Sequence, residues 1–68
     1  MKTVSPAMQD ALQRLLAAEL AGWVGVPAES IPGGTRAALH RRGFIEVTPD
    51  GSRKLTALGR SAAARLGL

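Results

Sequence analysis

Cysteine and tyrosine are absent from these 68 residues, and histidine and tryptophan occur once each. Without cysteine there is no disulfide and no thiolate–zinc staple. That removes the secreted disulfide-scaffold class and leaves the redox compartment open. The acids Asp10, Glu19, Glu29, Glu46 and Asp50 are scattered along the chain. A metal site needs several convergent ligands, so no metal and no cofactor is expected. His40, the lone histidine, has no orienting acid or nucleophile in its neighbourhood, and neither paired acids nor a nucleophile elbow occurs. The chain is not expected to be an enzyme, and its length leaves little room for a closed pocket. No G-x-x-x-x-G-K-[ST] follows a strand, so Pro32-Gly33-Gly34 reads as a sharp turn into a helix and not as a nucleotide cradle.

Long apolar runs are also missing. None approaches the roughly 18–20 residues of a membrane span. Met1–Pro6 carries one lysine and then an amphipathic stretch in place of a leader's apolar segment. The expectation is a cytoplasmic protein with no membrane partner, formed as one small domain over residues 1–68. Below roughly 70–80 residues a single core supplies only about 3–5 kcal/mol, so the fold rests on packing or on a partner subunit.

Acids are the scarcer charge: nine Lys+Arg against five Asp+Glu give a formal net charge of +4. The imbalance is local. Residues 1–34 hold Lys2 and Arg14 against Asp10, Glu19 and Glu29. Residues 35–68 hold Arg36, Arg41, Arg42, Arg53, Lys54, Arg60 and Arg65 against Glu46 and Asp50. A polyanion is drawn to the second half.

Ser5-Pro6 is a helix start, with a capping hydroxyl followed by proline at the first helical position. Met8, Leu12, Leu15, Leu16, Leu20 and Trp23 then recur at helical spacing, with Glu19 the one polar member. This predicts a helix over Pro6–Leu20 with one buried stripe, and Trp23 in the core. Residues 21–34, AGWVGVPAESIPGG, are punctuated by glycine and proline. Trp23–Val26 is expected as a short strand, with one helical turn near Ala28–Ile31. A competing reading sets Ala21, Gly25 and Ile31 at helix-turn-helix spacing.

The next helix is expected over Gly34–Arg42. Thr35, Ala38 and Leu39 lie on one side, and Arg36, Ala37, His40 and Arg41 on the other. Gly43 is its stop, and Phe44 sits where an apolar residue folds back onto the helix. Phe44–Thr48 and Arg53–Thr56 read as strands around Pro49-Asp50-Gly51-Ser52, where Asp-Gly is a hairpin signal. Thr56 is a cap for a last helix, Ala57–Leu66, with Leu58, Ala62 and Leu66 as its stripe.

Thr35–Arg60 resembles the winged helix-turn-helix of bacterial and phage regulators, especially the MarR-like kind. Two motifs carry the likeness. Leu39-His40-Arg41-Arg42-Gly43-Phe44-Ile45 matches the end of the family's recognition helix. Leu55-Thr56-Ala57-Leu58-Gly59-Arg60 matches the L-T-x-x-G-[RK] that opens the helix after its wing. The resemblance implies a mainly α fold with a small β-hairpin (α+β), ordered helix, short strand, recognition helix, two-stranded wing, helix. It departs from the family in having a reduced or missing second helix.

The same resemblance implies that Thr35, Arg36, Ala37, His40 and Arg41 face the major groove or its phosphates. It further implies that Ser52, Arg53 and Lys54 reach the DNA backbone or the minor groove. The implied partner is double-stranded DNA, in transcription regulation. Arg42, on the buried side of the helix, is left out of the base-reading set. A different use of the same scaffold is docking to a host protein. The alanine-rich Ser61–Leu68 is a candidate for that dock or for a homodimer seam.

Overall fold

Ser5 starts the first helix as its chemistry requires: its Oγ accepts the N–H of Met8 at 3.2 Å. The computed structural model describes residues 4–66. Lys2 and the last two residues of the Ser61–Leu68 seam lie outside them. Within them the chain is mixed α+β, with three α-helices and a two-stranded antiparallel hairpin. The elements are α1 (Pro6–Leu20), α2 (Gly33–Arg41), β1 (Ile45–Val47), β2 (Arg53–Leu55) and α3 (Ala57–Ala64). Among the described residues no helix is long and apolar enough to cross a membrane.

The core is aliphatic. Met8, Ala11, Leu12 and Leu15 of α1 meet Ile31, Leu39 of α2, Ile45 of β1, Leu55 of β2 and Ala63 of α3. The hairpin pairs Ile45 with Leu55, Glu46 with Lys54 and Val47 with Arg53. Its turn is closed by the Gly51 N–H donating to the Thr48 carbonyl at 2.9 Å and the Thr48 N–H donating to the Ser52 carbonyl at 2.8 Å. Asp50 Oδ1 accepts from the Ser52 N–H at 3.0 Å and from the Thr48 hydroxyl. These hydrogen bonds, that from Thr48 first, hold the Asp50 carboxyl below the ordinary carboxylate range.

Four expectations are corrected. The short strand over Trp23–Val26 is a single residue pair: Val26 and Arg53 exchange backbone hydrogen bonds at 2.9 and 2.8 Å. The expected helical turn near Ala28–Ile31 is present as one 3-10 turn, Ala28–Ser30, and no α-helix occupies residues 21–32. Trp23 is not core. It and Leu20 project past the end of the α1 stripe and are exposed. The α3 stripe is rotated by one residue, so that Gly59 and Ala63 are buried while Leu58 is exposed. The reason is close approach: a Cβ on Gly59 would overlap the Phe44 carbonyl oxygen. A helix pressed this closely onto the chain entering β1 has room there only for glycine. The helix itself ends at Ala64, two residues before the expected Leu66.

Candidate nucleic-acid interface

The eight residues expected to meet DNA lie on α2 and on the hairpin, and the fold joins the two elements at one point. Arg53 is on the same strand face as buried Leu55, so its side chain turns toward the body of the domain. There its Nε donates to Nε2 of His40 at 3.0 Å, and its Nη1 donates to the Gly51 carbonyl. Helix and hairpin are thereby linked through a basic pair. Lys54, one residue on, faces the opposite side of the ribbon and sits 3.7 Å from Glu46 across the strands. The two wing cations therefore do not share a face.

On α2 the cations also diverge. Arg41 and Ala37 are exposed and, four residues apart, form the open face of the helix. Thr35 is half-buried at its start. Arg36 turns the other way: its Nη1 donates to the Ala28 carbonyl at 2.6 Å and to the Ile31 carbonyl at 3.0 Å. It ties α2 to the 3-10 turn that precedes it. Ser52 is half-buried in the hairpin turn, its N–H held by Asp50.

Ion pairing sharpens the picture. Arg14 pairs with Asp10 at 3.3 Å and Arg60 with Glu19 at 3.3 Å, the latter linking α3 to α1. Among the described residues, Arg36, Arg41, Arg42, Arg53 and Arg65 have no carboxylate within ion-pair distance. All but Arg65 belong to α2, its C-terminal cap and the hairpin. Uncompensated positive charge is thus concentrated on those elements. Arg42, left out by sequence reasoning, is the C-cap residue of α2 and only half-buried. Its place one residue before the Gly43 stop was the available signal, because the helix face no longer dictates orientation there.

Away from these cations, a cleft of about 260 Å³ opens between α1 and the Val26–Ile31 segment, with Leu15, Val26, Ile31 and Arg14 among its walls. Its charged member, Arg14, is the one paired with Asp10. Among the described residues no three His, Asp or Glu side chains converge as metal ligands would. No family model matches the chain, and neither a curated protein nor a solved structure matches it.

Proposed function

We propose that the chain is a small DNA-binding module of winged-helix type, a bacterial or phage transcription regulator, with α2 as recognition helix and β1–β2 as wing. The observation that carries this reading is that Arg41 and Arg42 at the end of α2 and Arg53 on the hairpin are all without a carboxylate partner, with helix and hairpin joined by the His40–Arg53 hydrogen bond. The Val26–Arg53 pairing supports it, because it seats the segment before α2 against the second wing strand. The 3-10 turn Ala28–Ser30 stands where the resembling family has its second helix. Arg36 supplies the brace that helix would give, through its bonds to Ala28 and Ile31.

Roles follow from placement. Arg41, beside Ala37 on the open face of α2, reads base edges or grips phosphate. Arg42 and Arg53 neutralise phosphates. Lys54, on the other face of the ribbon, meets a separate phosphate at little cost, since an exposed pair such as Lys54–Glu46 is worth about 0–1 kcal/mol. The first N–H groups of α2 have no side-chain cap and are open to a backbone phosphate. Arg36 positions the helix and leaves the contact set.

The test is an anisotropy titration of a labelled duplex over a salt series. Each phosphate contact contributes about −0.9 to the slope of log affinity against log salt. Arg41→Ala with Arg53→Ala should therefore flatten the slope by about 2 and weaken binding on the order of 10–100-fold. No binding at low salt, or an unchanged double variant, would overturn the reading.

One observation favours a second use. Leu20, Trp23 and Val24 are 78%, 61% and 80% exposed at the end of α1, an apolar surface suited to a host protein or another partner. Partner binding that ignores salt would mark that use.

A further inference from the structure

The hydrogen bond between Arg53 and His40 has a direction with chemical consequences. A guanidinium carries only donors, so the nitrogen that receives Arg53 Nε must be unprotonated. The His40 ring in this arrangement is neutral and carries its proton on Nδ1. A proton added at Nε2 removes the bond and sets a second cation beside the first.

Among the described residues no carboxylate stands within ion-pair distance of His40 or Arg53. Glu29, on the 3-10 turn before α2, pairs with neither, and Arg42 at the end of α2 is a further cation. On α2 its charged neighbours are Arg36 and Arg41, both cations. From β2 comes Arg53, while Lys54 and its partner Glu46 of β1 lie on the other face of the ribbon. Asp50 in the hairpin turn is held by Thr48 and Ser52. On α1, Asp10 pairs with Arg14 and Glu19 with Arg60. The protonated pair therefore lacks a counter-ion of its own, and an anion from outside would supply one.

We infer that His40 and Arg53 form a proton-dependent phosphate seat at the junction of α2 and the hairpin, where a DNA backbone phosphate binds together with one proton taken up by His40. Arg53 keeps its orientation through the Gly51 carbonyl while its Nε is released from His40 to the phosphate oxygen. The imidazolium N–H donates to the same phosphate. Imidazole is the side chain whose ordinary charge change falls between about pH 5 and 8, which sets the range over which the seat is tested. This inference rests on the DNA-binding reading.

His40 is the single histidine of the chain, which makes the test site-specific. Duplex affinity is measured by anisotropy at pH 5.5, 6.5 and 7.5 at constant ionic strength. The imidazole is titrated in parallel by NMR with and without duplex. Wild type should bind on the order of tenfold more tightly at pH 5.5 than at pH 7.5, since uptake of up to one proton links the two equilibria. Duplex should move the imidazole midpoint upward. His40→Gln, which still offers Arg53 an acceptor, should bind with a flat pH profile. His40→Lys should stay in the tight-binding state throughout. Duplex binding with no pH dependence, a His40→Gln profile like wild type, or an unmoved midpoint overturns the seat and leaves DNA binding standing. Absence of duplex binding at every pH overturns both.

Discussion

At the end of α1, Gly22 takes φ +92 and the Trp23 N–H returns to the Ala18 carbonyl at 2.9 Å. At the end of α2, Gly43 takes φ +74 and the Phe44 N–H returns to the Leu39 carbonyl at 3.0 Å. Each is a Schellman stop, with glycine in the left-handed conformation and an aromatic residue just beyond it. The two aromatics have different fates. Phe44 packs against the core, whereas Trp23 is exposed.

What differs is the element opposite. Beyond α2, the α3 helix crosses the chain at close range. The Thr56 N–H donates to the Phe44 carbonyl at 3.0 Å, and the Thr56 hydroxyl donates to the Gly43 carbonyl at 2.6 Å while accepting the Gly59 N–H at 3.0 Å. Beyond α1, the backbone itself is drawn against β2 at Gly25, where a Cβ would stand 2.9 Å from the Arg53 carbonyl oxygen. That contact fixes the main chain and leaves the Trp23 ring uncovered. One end became the hinge into the basic hairpin, and the other became an apolar surface.

The sharpest way to break the contrast is to spoil the crossing of α3. Gly59→Ala puts a methyl group into the Phe44 carbonyl, and the helix must lift. The expected loss is about 3 kcal/mol or more. Against the roughly 3–5 kcal/mol available to a domain of this size, that leaves about 2 kcal/mol at most, so a thermal melt followed by circular dichroism should show the midpoint lowered by roughly 10–25 °C. A melt like wild type would mean that α3 does not clamp this corner.

Next in size is the comparison of the two stops. A left-handed non-glycine residue costs roughly 1–2 kcal/mol. Gly43→Ala should pay all of it, because Thr56 and Gly59 hold its surroundings in place. Gly22→Ala should lose about 1 kcal/mol or less, because the exposed chain after it can readjust. Equal losses in urea unfolding would show that the tertiary clamp is immaterial to the stop.

The smallest effect belongs to the hairpin turn. Asp50 is held below the ordinary carboxylate range by the Thr48 and Ser52 hydrogen bonds. Its contribution is therefore fully present above the unfolded carboxylate value of about 3.9, and it fades as pH falls through the lower folded value. Hairpin order, read from the amide shifts of residues 48–52, should hold through mild acid and decline only below about pH 4. Asp50→Ala should be weaker at neutral pH and lose that acid step.

Much of the fold was legible. The α1 boundaries, the Gly43 stop, the Asp50-Gly51 turn and the Thr56 cap are each local bargains between a side chain and backbone groups a few residues away. The candidate interface was legible only as a set of residue types. Arg36 reads as a groove-facing cation until the Ala28 and Ile31 carbonyls are placed beside it. Arg53 and Lys54 read as one wing tip until β2 turns them to opposite faces. The His40–Arg53 bond spans thirteen residues and the Glu19–Arg60 pair forty-one, separations at which sequence spacing carries no periodic signal.

By itself the sequence determined both ends of α1, the glycine stop after α2, the cap that opens α3, where the hairpin turns and which half is basic. All of these depend on charge, capping and backbone freedom within a few residues. The tertiary structure alone decided which side of α3 is buried, which aromatic is covered and which arginines stay unpaired. Those outcomes depend on what lies across the core, and only close packing of distant segments brings that into contact.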